Sequence, residues 1–109
     1  METFIKTLSS GNVAKLRYVD LGWLFRTGRF PIALRHEVEI AMHGWERLTE
    51  IQRYQLLGKT SALRLLFDTV CLMAIVEPEF TMESIKEILI RDKVEIFSAA
   101  IAKPPPSGG

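Results

Sequence analysis

The chain has 109 residues, 48% of them apolar and 25% charged, with a formal net charge of +1. That length supports one domain, not two, and one core that removes roughly 60–70% of the unfolded surface from water. The composition excludes a disordered chain and leaves little room for a separate catalytic cleft, while a mean hydropathy of +0.13 implies apolar surface left over for a partner.

Residues 1–19 read as an N-terminal arm. Ser9-Ser10-Gly11-Asn12 is a turn cluster, and Ala14, Leu16 and Tyr18 alternate with Lys15 and Arg17. A period of two suggests a short strand, and a helix fits nearly as well. A helical domain is expected over residues 20–102.

Asp20 is placed to cap a helix over residues 21–27, because a carboxylate there accepts from free N–H groups and complements the helix dipole. Gly28 can end it in the left-handed conformation. Pro31 suits the first turn of a second helix over residues 31–43, with Gly44 as its stop. Leu34, Val38 and Met42 form its apolar stripe, flanked by Ile40 and Ala41. A third, more polar helix over residues 45–57 carries Trp45, Leu48, Ile51 and Leu56 and is expected to stop at Gly58.

Residues 61–76 read as the most buried helix, since a helix apolar nearly all round belongs at the centre of a bundle. Arg64 and Asp68 break it and can pair at i,i+4. Pro78 follows. Thr81 caps a short fifth segment with Ile85, Ile88, Leu89 and Ile90, and Asp92 with Glu95 resembles a capping box for a last helix over residues 93–102. The fold expected is therefore all-α in the main. It would be a compact small domain of five to six helices with a short extended N-terminal arm. Residues 103–109, Lys103-Pro104-Pro105-Pro106-Ser107-Gly108-Gly109, read as a disordered, flexible tail.

The charge is uneven: six basic and two acidic residues give +4 over residues 1–35, and eight and eleven give −3 over residues 36–109. Nucleic acid binding usually needs a denser basic face. A helix–turn–helix over residues 21–43 would offer Arg35 and His36 beside Glu37 and Glu39, and the acids repel phosphate. Cys71 is the only cysteine and lies in an apolar run, which suits a small core hydrophobe in a reducing compartment. No signal peptide or membrane span is read from the chain.

Chemistry finds no foothold. His36 and His43, the only histidines, are seven residues apart, a rise of about 10 Å along a helix, too far to share one zinc. Cys71 has no base and orienting group in view. Gly58-Lys59-Thr60 lacks the earlier glycine of a phosphate loop. The reading is non-enzymatic, with no cofactor or metal. Trp23, Phe25 and Phe30 cluster with Arg26 and Arg29 near the first turn, and aromatic and Arg residues dominate interface hot spots. Trp23, Phe25, Arg29 and Phe30 are therefore the candidate partner-binding residues; equally, Trp23 and Phe30 could plug the bundle end.

Two ordered signatures bracket the chain. Asp20, Leu21, Leu24, Arg26, Gly28, Pro31 and Leu34 form the first, and Asp92, Glu95, Ile96 and Phe97 the second, with Val70-Cys71 and Val76-Glu77-Pro78 between them. Together they resemble the small tail assembly chaperones of long-tailed bacteriophages. The chain departs from that family at Phe30-Pro31, where Asn-Pro is common, and at Ile88-Leu89-Ile90-Arg91, where a Leu-Pro step is common.

The resemblance implies a non-catalytic protein of the infected bacterial cytoplasm. It would bind the apolar tape-measure protein and keep it soluble until tail tube protein assembles around it. Self-association would be compatible with that role, and neither nucleic acid nor membrane would be a partner. The family also uses ribosomal frameshifting near the gene's end, and Pro104-Pro105-Pro106 requires three CCN codons that could be slippery. The readings from other classes are a virion component at the head–tail junction or tail, and a small helix–turn–helix regulator.

Overall fold

The computed structural model describes residues 2–102, so the expected tail at 103–109 lies outside the described residues. Two strands open the fold: β1 (Thr3–Thr7) and β2 (Val13–Arg17). They pair antiparallel, with Thr7 opposite Val13 and Thr3 opposite Arg17. Gly11, at φ 92°, supplies the left-handed turn residue that lets the hairpin close. The helices are α1 (Leu21–Arg26), α2 (Arg35–Met42), α3 (Glu50–Lys59), α4 (Ser61–Ala74), α5 (Met82–Ile85) and α6 (Ile90–Ile101). A third strand, β3 (Ile75–Glu77), follows α4 directly and pairs antiparallel with β2, giving the sheet order β1-β2-β3.

The all-α expectation is thus overturned: the fold is mixed α/β, with six α-helices and a three-stranded antiparallel sheet among the described residues. The physical reason lies at both edges of β2. Ala14 and Leu16 are buried, so the backbone groups beside them need partners on both flanks. β1 supplies one flank. The other comes from Ile75-Val76-Glu77, which sequence periodicity assigns to the end of the central helix. Ile75 donates the last helical bond to Cys71 O and then turns extended, at φ −77°, ψ 111°. Its β-branched side chain fits a pleated surface better than a helix.

α4 is the central helix, as expected. Leu63, Leu66, Phe67, Val70, Cys71 and Ala74 on it are almost fully buried. α6 lies against it, and the rings of Phe67 and Phe97 stack with centroids 3.9 Å apart and planes 7° from parallel. Trp45 closes the stack, 5.3 Å from Phe67. The hairpin joins this same core through Leu8, Ala14 and Leu16, and Val19 N–H donates to Ala100 O at 2.9 Å.

Asp20 caps α1 through Gly22 N–H at 2.9 Å, as expected. Gly28 and Gly44 take positive φ where helices were expected to stop. Four local expectations fail. The third helix splits at Thr49, whose side chain accepts from Gln52 N–H while Gln52 Oε1 accepts from Thr49 N–H. This capping box starts a new helix and leaves residues 45–47 as a 3-10 turn. α3 then passes through Gly58 without stopping. Arg64 Nη1 donates to the carbonyls of Leu57 and Gly58, at 3.1 and 2.6 Å, which satisfies the end of α3 with a cation.

Arg64 is thereby committed elsewhere, and Asp68 pairs instead with Lys93 of α6, Nζ to Oδ1 2.8 Å, at an angle short of a directed hydrogen bond. The capping box expected at Asp92 and Glu95 does not form either. Leu89 stands at the N-cap of α6, and both acids reach across to the hairpin turn. Asp92 Oδ2 accepts from Ser10 Oγ at 3.0 Å and Asn12 Nδ2 at 3.1 Å. Glu95 accepts from the backbone and hydroxyl of Ser9. The second signature is therefore the clamp that holds sheet to helices.

Candidate partner-binding surface

The segment from Asp20 to Leu34 is a helix, a glycine turn and a proline. α1 ends with Thr27, whose N–H and hydroxyl both donate to Trp23 O. Gly28, at φ 70°, reverses the chain, and Pro31 leads into a 3-10 turn over Ile32–Leu34 that runs into α2. This reversal brings the four sequence-derived candidates together in two pairs. Arg29 lies over the Trp23 ring, its guanidinium carbon 5.3 Å from the centroid. Phe25 meets Phe30 edge to face at 5.7 Å, and Arg35 of α2 covers Phe25 at 5.0 Å.

The pairs differ in exposure. Trp23 is 37% exposed and Arg29 is exposed, whereas Phe30 is fully buried. Phe25 is half-buried against the core. A partner can reach Trp23 and Arg29; Phe30 supports the turn from within. Arg26 reaches back toward Asp20, 3.7 Å away, with both groups largely in water.

α2 continues from this turn into a second feature that the sequence candidates did not include. A groove of about 600 Å³ is lined by Ile40 and Ala41 of α2, Leu48, and Leu56 of α3, with Glu37 and Lys59 among its polar lining residues. Ile40 is 62% exposed. It lies five residues past Arg35, about 8 Å along the helix axis. Its signal was visible in the sequence as an apolar residue off the Leu34-Val38-Met42 stripe. Ile51, expected on the buried stripe of the third helix, is 67% exposed, and Ile32 is 71% exposed. Capping at Thr49 re-phased α3, so that Leu57 faces the core instead.

Burial, with a smaller contribution from Asp68, pushes the Cys71 thiol up to about 12, although Lys93 opposes this. A thiol so held is not a nucleophile at neutral pH. Among the described residues no group of three or more His, Cys, Asp or Glu is placed to hold a metal ion, and no helix is long and apolar enough to cross a membrane. On α2, Arg35 is paired with Glu39 at 2.8 Å.

The described residues define a small α/β domain in which helices cover one face of a three-stranded antiparallel sheet. No family model, curated protein or solved structure matches the chain.

Proposed function

We propose that the chain is a tail assembly chaperone of a long-tailed phage, acting in the cytoplasm of the infected bacterium to bind the tape-measure protein and keep it soluble. The observation that carries this reading is the surface formed by α1, α2 and α3. An exposed aromatic–Arg pair stands at Trp23 and Arg29, and an apolar groove lies around Ile40 between α2 and α3. Such a groove suits one face of an amphipathic helix, and Trp and Arg are the side chains that most often anchor an interface. The ordered signatures from Asp20 to Leu34 and from Asp92 to Phe97 support the same family.

The chemistry proposed is shielding. A client helix lays apolar residues in the groove and is released when tail tube protein takes its place. Each contact is weak and many act together. The test is the composition of purified particles against infected-cell lysate, by quantitative mass spectrometry. A chaperone is abundant in the lysate and missing from particles. Stoichiometric presence in particles contradicts the proposal and makes the chain a virion component.

A further inference from the structure

β1 is an outer strand of the sheet, and among the described residues β2 is its only strand partner. The hairpin turn fixes which of its backbone groups are used. Leu8 N–H donates to Asn12 O at 2.8 Å, and Gly11 N–H donates to Leu8 O at 2.9 Å. Antiparallel bonding alternates from there. Lys6 and Phe4 therefore bond with Ala14 and Leu16 opposite them, and Thr3, Ile5 and Thr7 turn their N–H and C=O groups away from β2. All three residues are exposed, Ile5 at 65%. Such an edge is a template for another strand. The opposite edge is poorly suited to this role, because β3 has only three residues and Pro78 follows it.

The charges on this strand say which partner fits. Glu2, immediately before β1, and Lys6 fall on the same side of the chain as Phe4. Among the described residues neither Glu2 nor Lys6 has an ion-pair partner. Glu50 and Glu95 line the same recess as Lys6, but they accept from Tyr54 and Ser9. Glu2 and Lys6 lie about 13 Å apart along a strand, too far to pair with each other. Two copies of β1 running antiparallel about an axis at Phe4 resolve this. Glu2 of each copy then faces Lys6 of the other, Phe4 faces Phe4, and Thr3 exchanges both backbone bonds with Ile5. An axis at Ile5 would set the two lysines diagonally across from each other, and an axis at Lys6 would set them face to face, which is destabilising.

We propose that a second copy of this chain adds its β1 to this edge, so that the two three-stranded sheets run on as one across a twofold axis at Phe4. The pairing is isologous and closes at the dimer. A strand edge covers less than the roughly 1,600 Å² of a standard interface. The dimer is accordingly weak, half-associated at about 0.1 mM. The inference does not rest on the chaperone reading.

The test is sedimentation equilibrium of the full chain from about 10 μM to 1 mM, with amide hydrogen exchange at the two ends of that range. A reversible monomer–dimer equilibrium is expected. Exchange should slow severalfold at Thr3 and Ile5 in the concentrated sample and stay unchanged at Phe4 and Lys6, which already bond to β2. Lys6→Glu and Glu2→Lys each set like charges opposite one another on both sides of the axis, and each alone should weaken the dimer by about tenfold. An equimolar mixture of the two variants restores both opposite-charge pairs and should dimerise as the wild type does. Ile5→Pro removes an N–H aimed at the second copy and leaves the bonds to β2, so it should abolish dimerisation even if Lys6→Glu disturbs its surroundings. A chain that stays monomeric throughout would overturn the proposal and leave the edge to an extended segment of another protein. A dimer without protection at Thr3 and Ile5, or a mixture of the charge variants no tighter than either alone, would overturn it as well.

Discussion

Lys93 of α6 stands 2.8 Å from Asp68 of α4, and both side chains are almost removed from water, at 14% and 10% exposure. Lys93 Nζ also donates to Lys86 O, and the Cys71 thiol donates to Lys93 O. One lysine thus joins the central helix, the last helix and the end of α5. A buried pair of this kind costs more to break than to replace. Lys93→Met alone strands Asp68 and should destabilise the fold by about 3–5 kcal/mol. Lys93→Met with Asp68→Leu should recover most of that loss. Urea melts of the three proteins measure it; a double variant as unstable as the single would show that the ion pair itself stabilises the fold.

The Phe67–Phe97 stack predicts a second large loss. Phe97 is 1% exposed and its ring stacks on Phe67 of α4. Phe97→Ala should cost about 3–5 kcal/mol through lost burial and the cavity left behind, with Phe97→Leu costing much less. Equilibrium denaturation checks the order.

The clamp between hairpin and α6 should fail at Asp92. Asp92→Ala leaves Ser10 and Asn12 without their acceptor and should cost about 2 kcal/mol. Amide exchange should then quicken in β1 and β2 before it does in α4. Uniform quickening across the chain would contradict a local clamp.

Cys71 sets a pH dependence at the alkaline end. Its ordinary value of 9.0 rises to about 12 in the fold, so the unfolded chain loses the thiol proton first. Stability from this group is full below 9.0 and falls as pH rises from there toward about 12. Thermal melts of the wild type should therefore decline more steeply over that range than those of Cys71→Ala. Parallel declines would remove Cys71 from the account.

How much of this was legible in the sequence depends on how local each cause is. Asp20, Gly28 and Gly44 act through their own backbone neighbours, and their roles were readable. Thr49 and Gln52 form an equally local signal that the apolar pattern around Trp45 and Ile51 obscured. β3 was not readable, because Ile75-Val76-Glu77 continues the apolar run of α4 and becomes a strand only when β2 lies beside it. Asp92 and Glu95 had capping spacing, but their partners, Ser9, Ser10 and Asn12, are some eighty residues away along the chain. Of the aromatic turn, the cluster was readable and the burial was not. Trp23 faces outward and Phe30 inward because the chain reverses at Gly28. The α2–α3 groove needed two helices placed together.

Trp23 and Arg29 carry the contact prediction. Replacing both with Ala should weaken client binding by about tenfold or more, while the melting temperature changes little, because neither side chain is part of the core. Binding unchanged in the folded double variant would move the contact to the groove around Ile40.

The most direct measurement is co-expression of this chain with the tape-measure protein of its own genome, followed by the soluble and co-purifying fraction of the latter. The account expects solubility to appear only when the chain is present, with the two proteins in one complex. A tape-measure protein equally soluble or equally insoluble with and without the chain, and never co-purifying with it, would contradict the proposed function.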